Sequence, residues 1–69
     1  MQTIEITVNG AQTKVPAGQT VEALLTHLGL RPDRVAVEID RTIVTKRQWA
    51  STTVDNGAQL EIVEFVGGG

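Results

Sequence analysis

The chain opens on a two-residue alternation. Ile4, Ile6 and Val8 are separated by Glu5 and Thr7, the period of a strand with one buried face. Asn9-Gly10 follows, and both residues accept the positive φ of a type I′ turn, so the pair predicts a tight hairpin. The return strand carries Ala11, Thr13 and Val15 on one face and Gln12 and Lys14 on the other. With two turn residues Val8 stands opposite Ala11, which puts both apolar sets on the same side. Register and pattern agree.

Val15-Pro16-Ala17-Gly18 reads as a type I turn, and the period then changes. Thr20 is a helix N-cap, Glu22 lies in the first turn where the helix dipole favours an anion, and Val21, Leu24, Leu25 and Leu28 form one apolar stripe. Gly29 supplies the left-handed residue that ends the helix, with Leu30 folding back on it. A helix of about nine residues does not stand alone in water and needs a sheet to lie on. After the polar crossing Arg31-Pro32-Asp33-Arg34, alternation returns in Val35, Val37 and Ile39. Asp40-Arg41-Thr42 is a turn, Ile43-Val44 a short fourth strand, Lys46 to Ala50 one helical turn, and Asp55-Asn56-Gly57 a further tight turn. A last strand runs to Val66 and ends in Gly67-Gly68-Gly69.

Hairpin, helix, strand, short strand, turn and strand, in that order, describe an α+β domain. Its mixed sheet has four to five strands, with one main helix packed across it. The first and last strands are expected as central parallel neighbours, burying Ile4, Ile6, Leu60 and Ile62 together, and a right-handed crossover is expected through the helix. This is the β-grasp, or ubiquitin-like, architecture. It assigns residues 1–66 to one domain and 67–69 to a flexible glycine tail.

Size and charge narrow the function. A chain of 69 residues buries only about 60% of its unfolded surface, and such a core rarely supplies more than roughly 3–5 kcal/mol. There is no cysteine, so disulfides and thiolate metal sites are excluded. A net charge of −2 argues against a nucleic-acid or anionic-membrane surface. The short apolar runs predict no membrane span, and the N-terminus lacks the basic-then-apolar pattern of a secretory signal, so the cytoplasm is the expected compartment.

Catalytic chemistry is hard to assemble from these residues. His27 lies off the apolar stripe with no second histidine to support it, and Ser51 is the only serine. Glu61 and Glu64 are three apart on a strand and point to opposite faces. No metal set, no bound cofactor and no catalytic residue is expected, so any chemistry is moved to the terminus or to a partner. Trp49 reads either as a packing plug over one end of the sheet or as an interface anchor. In the last strand, Leu60 and Ile62 share one face while Val63 and Phe65 take the other. That strand is either central and covered on both sides or exposes Val63 and Phe65 as a docking surface, and both can hold. Three glycines lose more entropy on ordering than any other residues, so the tail is not there for stability. It is either an inert frayed end or an arm that threads a narrow slot in a partner.

Taken together, these stretches resemble the ThiS family, the small ubiquitin-like sulfur carriers of bacterial thiamine biosynthesis. The resemblance spans essentially the whole chain. It rests on Val8-Asn9-Gly10, on Gln19-Thr20-Val21-Glu22-Ala23-Leu24-Leu25, on Val35-Ala36-Val37-Glu38, and on Ile43-Val44 followed by a basic residue, Gln48 and Trp49. The ending from Leu60 to Gly69 completes it. Thr45 and Lys46 stand where many members have proline and arginine, and Asp40 where asparagine is frequent. Both departures bear on the shape of that loop, and neither touches the tail.

The resemblance implies a carrier cycle acting on Gly69. An adenylyltransferase of the ubiquitin-activating, ThiF type uses ATP to adenylylate the Gly69 carboxylate. Sulfur from a persulfide enzyme then gives a thiocarboxylate, which is delivered to a thiazole synthase. Gly67 and Gly68 are the arm, and Val63, Phe65 and Val66 the expected docking face. Alternatives in the same chemistry are carriers for molybdopterin or cysteine synthesis. Alternatives outside it are a modifier conjugated through Gly69 and a passive interaction module.

Overall fold

In the computed structural model, which describes residues 2–65, five strands form a single mixed sheet. β1 (Thr3–Val8) and β2 (Ala11–Pro16) are the predicted hairpin, paired Ile4 with Val15, Ile6 with Thr13 and Val8 with Ala11. Asn9 and Gly10 sit at φ of 50° and 85°, the left-handed pair that a two-residue turn of this hand needs. β3 is Val35–Ile39, β4 is Thr42–Val44 and β5 is Gln59–Glu64. The strand order is β2-β1-β5-β3-β4, with β1 parallel to β5 and the other neighbours antiparallel.

The helix α1 spans Val21–His27, about two residues shorter than the apolar stripe suggests. Thr20 caps it, its side-chain oxygen accepting from the amide of Ala23 at 3.2 Å. Leu28 forms the C-cap and Gly29 follows at φ 77°. The amide of Leu30 donates to the carbonyl of Leu25 and that of Gly29 to Thr26, the paired bonds of a Schellman motif. Val21, Leu24 and Leu25 are fully buried against Ile6, Val15, Val37 and Leu60 from the sheet. Of the four residues expected to cluster, Ile6, Leu60 and Ile62 are buried, and Ile4 is half-buried and packs against them at the edge of the core.

Residues Lys46–Ser51 make a six-residue 3₁₀ turn rather than a single helical turn. It opens with a capping box in which Gln48 and Thr45 bond each other's ends. That turn seats Trp49, which is 3% exposed, and its indole Nε1 donates to the carbonyl of Val44 at 2.9 Å. Trp49 is therefore a packing plug, not an interface anchor. Among the described residues no helix is long and apolar enough to cross a membrane.

Candidate functional site

β5 lies in the middle of the sheet, so both of its faces could have been covered, but among the described residues only one is. Its alternation puts Leu60 and Ile62 under α1, while Glu61, Val63 and, just beyond the strand, Phe65 point to the side without a helix. Val63 is 56% and Phe65 58% exposed. The amide of Phe65 donates to the carbonyl of Arg34 at 2.7 Å, so the pairing with the start of β3 continues past the end of β5 and holds Phe65 on this face.

Neighbouring strands enlarge the surface. Ala36 stands directly opposite Val63 across the antiparallel β3–β5 ladder. One step along, Glu38 faces Glu61 on one side and Ile43 on the other. Ile43 is 67% exposed, and Ala36, Glu38, Ile43, Glu61 and Val63 line one shallow depression. Two carboxylates directly opposite on adjacent strands repel, so the depression is an apolar floor with a negative edge. Phe65 and Val63 are a little over half exposed and Ile43 two-thirds, so a partner that covers them gains about half to two-thirds of the roughly 1.5–3 kcal/mol that full burial of such a side chain brings.

Of the residues the sequence singles out, Val63 and Phe65 are brought together on this face. Val66, Gly67, Gly68 and Gly69 lie outside the described residues. His27 is exposed on α1. No three His, Cys, Asp or Glu side chains converge as a metal site among the described residues. Ile43 and Ala36 were not singled out by sequence reasoning. For Ala36 the signal was its place between the apolar Val35 and Val37; for Ile43 it comes only from the fold, where Val44 packs on the core and alternation turns Ile43 to the opposite face.

A five-stranded mixed sheet wrapped on one helix, with an open apolar face beside its C-terminal strand, defines a small ubiquitin-like β-grasp protein. The particular family is shown by comparison. Residues 2–69 match the model of the ThiS family, and the chain belongs to that family. It is 35% identical over 66 residues to the sulfur carrier protein ThiS of Escherichia coli, covering 96% of this chain and all of that protein. The crystal structure of a thiamine biosynthesis protein (ThiS) from Geobacter metallireducens superposes with a TM-score of 0.81 at 30% identity, over 96% of this chain and the whole of that one. A thiazole synthase from Paramagnetospirillum magneticum is 44% identical over 66 residues, again 96% of this chain. The chain spans only about one fifth (20%) of the length of that thiazole synthase.

Proposed function

We propose that this chain is a sulfur carrier for thiamine biosynthesis, acting through the carboxylate of Gly69, and that it is not itself an enzyme. The observation that carries the reading is the placement of Val63 and Phe65, exposed on and just past the last strand before Gly67-Gly68-Gly69 in the sequence, within a fold of the ThiS family. A surface that docks a partner there delivers the tail to the partner's active site. Support for the pathway comes from the sulfur carrier and thiazole synthase names of its relatives.

The chemistry follows from what a carboxylate lacks. It is a poor electrophile, so an adenylyltransferase of the ThiF type, using ATP, converts it to an acyl-adenylate with release of pyrophosphate. The terminal sulfur of a persulfide enzyme attacks that carbonyl and expels AMP. A thiol then cleaves the acyl disulfide and leaves a thiocarboxylate, whose sulfur passes to thiazole synthase. Glycine suits each step, because nothing on its Cα hinders attack at the carbonyl and an unbranched arm enters a narrow tunnel. Gly67 and Gly68 are that arm, Gly69 is the reacting residue, and Val63, Phe65 and Val66 are the docking face. ATP is the partner's cofactor and none is bound by this chain. We place the cycle in the cytoplasm, where ATP is available.

The test is ATP–pyrophosphate exchange by the ThiF-type enzyme with the parent chain and with a chain carrying one alanine after Gly69. The reading expects exchange with the parent, none with the extended chain, and equal melting temperatures. Equal exchange with both would refute a role for the Gly69 carboxylate.

A further inference from the structure

One flank of β5 is closed by β1 only as far as Leu60, and at Ile62 by a side chain. Toward β1, the amide of Thr7 donates to the carbonyl of Ala58 and that of Asn9 to Leu60, both at 2.9 Å. There β1 turns away through Asn9-Gly10 into β2. The amide group of Asn9 takes over: its Nδ2 donates to the carbonyl of Ile62 at 3.0 Å, and its Oδ1 accepts from the amide of Ile62 at 2.7 Å. One side chain thus replaces the pair of backbone groups that a longer β1 would have supplied.

Among the described residues, the flank is open beyond Asn9. Backbone groups of β5 alternate in direction, positions 58, 60 and 62 bonding toward β1 and positions 59 and 65 toward β3. The N–H and C=O of Glu64 therefore point to the β1 side, and among the described residues nothing meets them there. An unpaired donor and acceptor on an extended segment form a strand-addition site. Here the site begins at a fixed place, next to Asn9.

We infer that this flank receives an extended segment of the protein that acts on the tail, paired backbone to backbone with Glu64 and bearing a lysine or arginine opposite the Glu64 carboxylate. Charge selects this occupant over a second copy of the chain. Antiparallel self-pairing centred on this edge sets Glu64 against Glu64, which repels, whereas a basic residue in that position attracts. Composition agrees, since Gly67-Gly68-Gly69 offers no side chain and a protein that holds it reads backbone. The inference rests on the carrier reading for the identity of the partner, and on the hydrogen-bond pattern of β5 for the mode of contact.

The experiment uses the full chain, ¹⁵N-labelled, with a ThiF-type adenylyltransferase. Amide hydrogen exchange of Glu64 is followed in the free chain and in the complex, and affinity is measured for the parent, Glu64→Gln and Glu64→Lys. The inference expects the Glu64 amide to slow by about tenfold or more on binding. Affinity should fall in the order parent, Glu64→Gln, Glu64→Lys, with melting temperatures unchanged. A complex whose affinity falls with Phe65→Ala but that leaves the Glu64 amide exchanging at its free rate would overturn the strand contact while leaving the carrier reading intact. Protection of Glu64 that rises with the concentration of the chain alone would assign the flank to a second copy and overturn it equally. No binding of the parent chain would remove both.

Discussion

Asn9 does two jobs that can be separated by a single substitution. Its backbone occupies the left-handed region at φ 50°, and its side chain makes two hydrogen bonds to Ile62, 53 residues away. Asn9→Gly keeps the first, because glycine accepts that φ freely, and removes the second. Ile62 is 8% exposed, so its amide and carbonyl lose their partners in a place that water reaches poorly. Each bond is worth about 0.5–1.5 kcal/mol net, giving an expected loss of about 1–3 kcal/mol. For a domain with roughly 3–5 kcal/mol in all, that is a large share. Urea unfolding read by the fluorescence of Trp49, the only tryptophan and a buried one, measures it directly. The exposed Gln12→Ala is the control and should stay within about 0.5 kcal/mol of the parent. Hydrogen exchange of the Ile62 amide should quicken by a matching factor. An Asn9→Gly midpoint indistinguishable from that of Gln12→Ala would show that the side-chain bridge contributes nothing and that the reasoning about β5 is wrong.

Three other substitutions probe the same account. Phe65→Ala should cost under about 1 kcal/mol by urea unfolding, against roughly 3–5 for a buried phenylalanine, while weakening binding to the adenylyltransferase; a core-sized loss of stability would place Phe65 in the interior. Arg41 holds φ at 70° without a glycine's freedom, so Arg41→Gly should stabilise the chain by about 0.5–1 kcal/mol, and destabilisation would mean the arginine side chain makes a contact worth more than the strain. Thr20→Ala removes the cap on α1 and should cost about 1 kcal/mol in thermal melts followed by circular dichroism; an unchanged melt would mean that the bridge to Thr53 alone holds the helix start.

Much of this fold was legible because local signals and long-range needs coincide. Asn9-Gly10 specifies the hairpin turn, and the apolar alternation on either side specifies its register, so the two had to agree. Thr20, the Val21–Leu28 stripe and Gly29 mark both ends of one helix, and the short chain leaves that stripe a single sheet to cover. The turn between β3 and β4 was less legible. Asp40 and Arg41 both adopt positive φ, at 50° and 70°, where a sequence signal would be glycine or asparagine. The reason lies elsewhere in the chain: Asp40 pairs with Gln59, its amide donating to the Gln59 carbonyl and its Oδ1 accepting from the Gln59 amide. A contact across 19 residues is invisible to a local reading.

For the site, alternation gave Val63 and Phe65 but could not say whether a central strand leaves a face uncovered, because that depends on where the single helix lies. Ile43 was missed for a related reason. A three-residue strand shows no period of its own, and its outward direction is fixed only by pairing with β3. The bridge from Asn9 to Ile62 was hidden because the same residue already had a sufficient local explanation as a turn former.

The central claim, that Gly69 is the seat of the chemistry, is tested most directly by intact mass. The chain is incubated with ATP, the ThiF-type adenylyltransferase and a persulfide sulfur donor, then analysed without alkaline treatment. A parallel sample is alkylated to distinguish a thiocarboxylate from an oxidised side chain. The account predicts a species heavier by the difference between sulfur and oxygen, alkylated once, with the change confined to Gly69. An unmodified mass under conditions where the enzyme activates its own known carrier would contradict it.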